Sequence, residues 1–197
     1  QDSALNICVI GLGAGVVARF ADQQDSIHFF ELNPAVVEMA KRYFSYLENS
    51  EAKLTVSLGD GRIALKNNAD EVFDVLIIDA FSSDVIPAHL LTQEAMSLYW
   101  QRLNENGVLI VHISNNHIDL LPVLQAHSQH FNKAMLKFSY QGHSPSDIGS
   151  DWVVLTDNQT FLNRVSISDL SPIKRYPHSE LALWTDSKHS LLPLLKF

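Results

Sequence analysis

The sequence is poor in the features that mark several broad protein classes. It has one cysteine, Cys8, in 197 residues. An internal disulfide is therefore excluded, and a lone thiol inside the apolar run "NICVIG" reads as a small buried residue in a reducing compartment. Basic residues never run beyond the pairs Lys41-Arg42 and Lys174-Arg175, and 22 acidic against 14 basic residues give a net charge of −8. That balance offers no track for a phosphate backbone, so no nucleic-acid partner is expected, whereas a cationic small substrate is compatible with it. No stretch reaches the roughly 18 continuous apolar residues of a membrane span. Gly-Lys-Ser/Thr is missing, which removes a P-loop, and Gly-x-Ser-x-Gly is missing, which removes a serine-hydrolase elbow. Nine histidines are present, but neither His127/His130 nor His112/His117 has an acidic or cysteine companion at ligand spacing, so no metal is expected.

What is present points to one globular domain over residues 1–197. The composition is 46% hydrophobic, enough for one sizeable core. Apolar strand patterns alternate with helical ones. "NICVIG", "SIHFFEL", "KLTVSL", "FDVLIIDAF" and "GVLIVHIS" read as buried strands, the fourth best of all because a continuous apolar run suits a parallel strand covered on both faces. Helices are expected at about 14–22, from Asn33-Pro34 onward, after Gly59-Asp60-Gly61, at 92–104 and at 119–131. In the second of these, Val36, Val37, Ala40, Tyr43, Phe44 and Leu47 fall at helical spacing and predict a core-facing stripe. "AMLKFSY" and "DWVVLTD" are joined by too short a loop for a crossover helix and should pair antiparallel. The expectation is an α/β fold: a doubly wound, mostly parallel seven-stranded sheet with an antiparallel edge hairpin. Beyond residue 158 the pattern weakens, and "LLPLLKF" should pack back onto the domain.

In such a sheet, ligands bind beyond the carboxyl ends of the strands. Gly11, Gly13 and Gly15 follow the first strand, Glu31 ends the second, Asp60 follows the third and Asp79 ends the fourth. Core packing gives no reason for acids at all these ends. A dinucleotide fingerprint would place its third glycine at position 16, where this chain has Val16. Glu31 stands 20 residues after Gly11, the spacing at which a carboxylate meets ribose hydroxyls in more than one cofactor class. Asp60-Gly61 offers a carboxylate and an amide for an adenine edge; the competing reading of Asp60 is a helix N-cap. His89 and His117 fall in loops near this edge, where they could touch substrate, but are expected at the surface.

Together "VIGLGAG", "FFELNPAVVEMAKRYF", "VSLGDGR" and "FDVLIIDAFSSDVIPAHLLTQEA" resemble the class I S-adenosylmethionine-binding fold. They are most similar to its spermidine synthase-like (polyamine aminopropyltransferase-like) branch, including the domains fused to membrane segments in bacteria. The resemblance implies that Gly11, Gly13 and Gly15 cradle the amino-bearing arm of the donor, that Glu31 holds the ribose, and that Asp60 and Gly61 meet the adenine. Asp79 would be the general base toward a polyamine amine, and Ser82, Ser83 and Asp84 would contact the rest of that substrate; the competing reading of these three is that they cap the following turn. The donor the resemblance implies is S-adenosylmethionine or its decarboxylated form, and no metal is expected.

Three departures shape the expected function. The loop has Ala14 where spermidine synthases usually carry Asp. The acids are spaced Asp79-Ala80-Phe81-Ser82-Ser83-Asp84, two residues wider than usual. An N-terminal β-rich segment would lie upstream, so the chain is expected to be a fragment. Aminopropyl transfer is the first expectation, methyl transfer the alternative, and a non-catalytic nucleoside-binding regulatory domain the third. A helix starting near Ala14 would favour a carboxylate-bearing donor through its positive end. The setting implied is cytoplasmic, as a soluble protein or the cytosolic domain of a membrane-attached one, and a homodimer is left open.

Overall fold

The structure is a computed structural model and describes residues 3–80, 87–143 and 149–196. Seven strands form one sheet: β1 (Asn6–Ile10), β2 (Ser26–Glu31), β3 (Lys53–Leu58), β4 (Phe73–Ile78), β5 (Leu103–His112), β6 (Ala134–Tyr140) and β7 (Ser150–Thr156). Their order is β3-β2-β1-β4-β5-β7-β6. β1 to β5 run parallel, while β7 runs antiparallel to both β5 and β6. This is the expected doubly wound sheet with its antiparallel edge. Strand order reverses between β1 and β4, which is where a doubly wound sheet opens a crevice.

The two-residue period of each strand divides the core between the faces. Ile7, Val9, Ile27, Phe29 and Ile77 pack on one side, with Ala18 and Ala40. Cys8, Ile10, Phe30, Leu76 and Ile78 pack on the other, with Leu65, Met96, Tyr99 and Leu124. Each Val, Leu, Ile, Phe or Met among them taken from water contributes about 1.5–3 kcal/mol. Cys8 is fully buried, and burial pushes its thiol well above the ordinary range, so it stays protonated and inert.

Among the described residues five α-helices accompany the sheet: α1 (Pro34–Tyr43), α2 (Gly61–Asn67), α3 (Gln93–Arg102), α4 (Leu121–His130) and α5 (Gln159–Arg164). α1 begins as the sequence predicts, with the Asn33 side chain accepting from the Ala35 amide and Pro34 in the first turn. Its end differs. Phe44 is extended (φ −128°, ψ 147°), so the helical phase is lost there. Tyr43 and Phe44 stand exposed while Val36, Val37, Ala40 and Leu47 meet the core. α3 likewise stops at Arg102, two residues short of expectation, because β5 starts at Leu103.

The segment expected to be a helix at 14–22 is only a 3-10 turn, Val16–Phe20. Gly15 enters it left-handed, without a side-chain cap, and two β-branched valines follow. The carboxyl-terminal segment packs back as expected. Leu194 is buried, its carbonyl accepts from the Asp119 amide at 2.7 Å, and the Trp184 carbonyl accepts from Gln93 at 2.7 Å. Among the described residues no helix is long and apolar enough to cross a membrane.

Candidate functional site

A cavity of about 490 Å³ opens beyond the carboxyl ends of β1, β2, β3 and β4, lined by Gly11, Gly13, Glu31, Asp60, Gly61 and Asp79 among others. Its volume is in the range of small-ligand sites, ~300–1,000 Å³. A second hollow of about 460 Å³ lies beside the 3-10 turn, lined by Arg19, Asp22, Tyr46 and Glu51. None of the strand-end acids lines it, so chemistry and not size selects the first.

Backbone economy builds the wall at β1. The Gly11 amide donates to the Phe30 carbonyl (2.8 Å) and the Asp79 amide to the Ile10 carbonyl (2.9 Å), which draws three strand ends together. Gly11 has φ +99°, and a Cβ there would collide with the Asp79 carbonyl, 2.7 Å from its carbon. Only glycine fits. Gly13 has φ +52° with open space around it, so a ligand can approach its backbone. Gly15 is different. It does not line the cavity; it is buried, and a Cβ on it would lie 2.9 Å from Leu47 Cδ2. A left-handed φ of +82° and the packing against Leu47 both call for glycine here.

Glu31 spans the loop. Its Oε2 accepts from the Leu12 amide (3.0 Å) and its Oε1 from the Asn33 amide (2.8 Å). Each carboxylate oxygen has two lone pairs, so both can still accept from a vicinal diol. Asp60 serves two purposes: Oδ1 caps α2 by accepting from the Ile63 amide (2.9 Å), and Oδ2 lies 2.9 Å from His89 Nε2. The N-cap reading is therefore correct, and the residue lines the cavity as well. Gly61 lets α2 close on β1, since a Cβ would sit 2.8 Å from Ile10 Cγ2.

Two histidines join the site. His89, expected at the surface, is half exposed but lines the cavity. Its carbonyl accepts from Arg62 at 2.8 Å, and Arg62 makes a two-point pair with Asp186, both contacts 2.7 Å. The Arg62 hydrogen bond, helped by the Thr92 hydroxyl, holds the Asp186 carboxyl down to about 2. His112 Nδ1 lies 2.7 Å from Asp79 Oδ1, and its Nε2 2.7 Å from Ser114 Oγ. Trp152 stacks on the imidazole, with centroids 4.2 Å apart and planes 11° from parallel.

Sequence reasoning missed both contacts. The signal was register: Ile78 pairs with Val111, and His112 with Trp152, so one further residue along β4 puts Asp79 opposite His112. Ser82, Ser83 and Asp84 lie outside the described residues. His117 does not line the cavity; its carbonyl accepts from the Lys196 amide. Among the described residues no group of three or more His, Cys, Asp or Glu is placed to hold a metal ion.

Comparison with known proteins gives a consistent pattern. A family model described as the spermine/spermidine synthase domain matches residues 2–142. The polyamine aminopropyltransferase of Vibrio vulnificus strain CMCP6 is 33% identical over 109 residues, which are 53% of this chain and 36% of that protein. The eEF1A lysine and N-terminal methyltransferase of Danio rerio is 28% identical over 90 residues, 43% of this chain and 13% of that protein. In three dimensions, spermidine synthase from Thermotoga maritima superposes with a TM-score of 0.61 at 19% identity, covering 91% of this chain and 64% of that one. The chain thus matches about a third of the length of the Vibrio relative.

Proposed function

Since the chain belongs to the spermine/spermidine synthase domain family, we propose that it transfers an aminopropyl group from decarboxylated S-adenosylmethionine to a polyamine amine, with Asp79 as general base. The observation that carries the reading is the convergence of Gly11, Gly13, Glu31, Asp60, Gly61 and Asp79 on one cavity. The residues suit an adenosyl group: Glu31 has acceptors to spare for ribose hydroxyls, Gly13 leaves its backbone open, and Asp60 stands where a base edge would lie.

When bound, the sulfonium supplies an electrophilic carbon; the amine lone pair forms the new C–N bond as the C–S bond breaks, and the sulfur departs as a neutral thioether. Asp79 orients the amine and accepts the proton it loses. No acid is required for the leaving group. Ser82, Ser83 and Asp84 would hold the distal ammonium of the acceptor, as the family resemblance implies.

Methyl transfer is the second reading, favoured by Ala14, which leaves that position without a carboxylate for the ammonium of a decarboxylated donor. The helix-end preference for a donor carboxylate, which would point the same way, is weak, because the 3-10 turn after Gly15 has only five residues and little dipole to offer. Calorimetry with S-adenosylmethionine, its decarboxylated form and methylthioadenosine, followed by product analysis with putrescine, separates the readings. Tight binding of the decarboxylated donor with release of methylthioadenosine is expected. Preference for S-adenosylmethionine with a methylated product would replace the proposal, and binding without turnover would indicate a regulatory domain.

A further inference from the structure

We propose that His112 is a positioning residue for Asp79, presenting one carboxylate oxygen to the acceptor amine by holding the other. The kinetic arm of this inference rests on the aminopropyl-transfer reading; its geometric arm does not.

The hydrogen bonds that Asp151, Ser114, His112 and Asp79 make with one another orient the chain. The Asp151 amide can only donate, and it does so to Ser114 Oγ at 2.8 Å. The Ser114 hydroxyl hydrogen is then free to point at His112 Nε2, 2.7 Å away. That leaves the imidazole proton on Nδ1, where it donates to Asp79 Oδ1 at 2.7 Å. The opposite neutral tautomer would set a bare Nδ1 lone pair against a carboxylate oxygen and make Ser114 Oγ accept twice. A doubly protonated ring would also donate from Nδ1. In each workable arrangement Asp79 Oδ1 is the acceptor.

Three neighbouring strands enforce this geometry. Asp79 follows β4, His112 ends β5 and Trp152 lies on β7, directly paired with His112. The indole face fixes the imidazole plane, and both His112 and Asp79 side chains are largely buried, at 20% and 27% exposure. A carboxylate held at one oxygen by a stacked ring cannot rotate freely, so Oδ2 keeps one direction. Positioning of this sort governs the chemical step more than ground-state affinity.

The test compares His112→Asn, His112→Gln and His112→Leu, checked for folding by circular dichroism, through kcat and KM with decarboxylated S-adenosylmethionine and putrescine. Asn places its amide donor near the Nδ1 position; Gln reaches toward Nε2 instead. Leu and Gln should lower kcat by about 100-fold with donor KM within about threefold, and Asn should recover most of that loss. A Leu variant with wild-type kcat, or an Asn variant as slow as Leu, overturns the proposal. Imidazole ¹⁵N spectra of the wild-type protein decide the geometry without turnover. A protonated Nδ1 that loses its hydrogen-bonded shift in Asp79→Ala is expected, and an Nε2-protonated neutral ring overturns the assignment. Absence of turnover in the wild type defeats the aminopropyl reading alone, since the spectra still judge His112.

Discussion

Gly11 and the carbonyl of Asp79 approach so closely that no side chain fits between them. The glycine loop and the proposed base are thus one unit: whatever shifts one strand end shifts the other. Gly11→Ala must relieve a backbone collision and a left-handed φ together, so a loss of at least about 2 kcal/mol is expected, with nucleoside affinity falling in parallel. Gly15→Ala also strains a left-handed φ (+82°) but meets only the flexible end of Leu47 and no backbone, so it should lose stability while nucleoside affinity stays within about threefold of wild type. Thermal unfolding and calorimetry on the two variants check both statements; equal affinity losses would place Gly15 at the ligand after all.

The contrast between these glycines also marks how far the sequence could be read. All three were legible as a loop after a strand, yet their different jobs depend on Leu47 and Asp79, residues far along the chain. β4 was legible because "FDVLII" is apolar throughout, and the start of α1 because Asn33-Pro34 is a cap signal. The end of α1 was not, since neither Gly nor Pro marks it and the exposed Tyr43 and Phe44 continue the apolar spacing. Asp79 stood out as a strand-end acid. Its partner His112 did not, because their meeting is set by register between strands and leaves no local pattern.

Asp79→Asn keeps the shape of the side chain and removes its basicity. Turnover should fall by about 10²–10⁴-fold, while the dissociation constant for methylthioadenosine stays within about threefold, because no proton transfer is involved in binding. Steady-state kinetics paired with calorimetry reads this directly. Full activity in the variant would remove Asp79 from the mechanism.

Glu31 holds the loop from both sides, through the Leu12 and Asn33 amides, before any ribose arrives. In Glu31→Gln one of those amides must face an NH₂ group, so the variant loses a charge-assisted bond worth about 1.5–3 kcal/mol. Nucleoside affinity should drop at least tenfold. Turnover at saturating donor should fall much less, which distinguishes a binding residue from one that acts on the reacting atoms. An unchanged dissociation constant would remove Glu31 from the nucleoside site.

Acid stability depends on a buried residue outside the site. His127 is fully buried in α4; its Nε2 donates to the Leu91 carbonyl at 2.7 Å, and Nδ1 has no hydrogen-bond partner. Burial pushes its pKa down to about 4 from the ordinary 6.5. The sign follows from proton counting: between these values the unfolded chain binds a proton that the folded chain refuses, so stability falls as pH falls through that window. The loss is absent above the unfolded value and amounts to about 2 kcal/mol between pH ~7.5 and ~4.5. His127→Gln keeps a donor for Leu91 but cannot titrate. Urea unfolding at several pH values should therefore show the wild-type and variant curves diverging across this range; curves that stay parallel would mean that His127 takes up its proton without unfolding the helix around it.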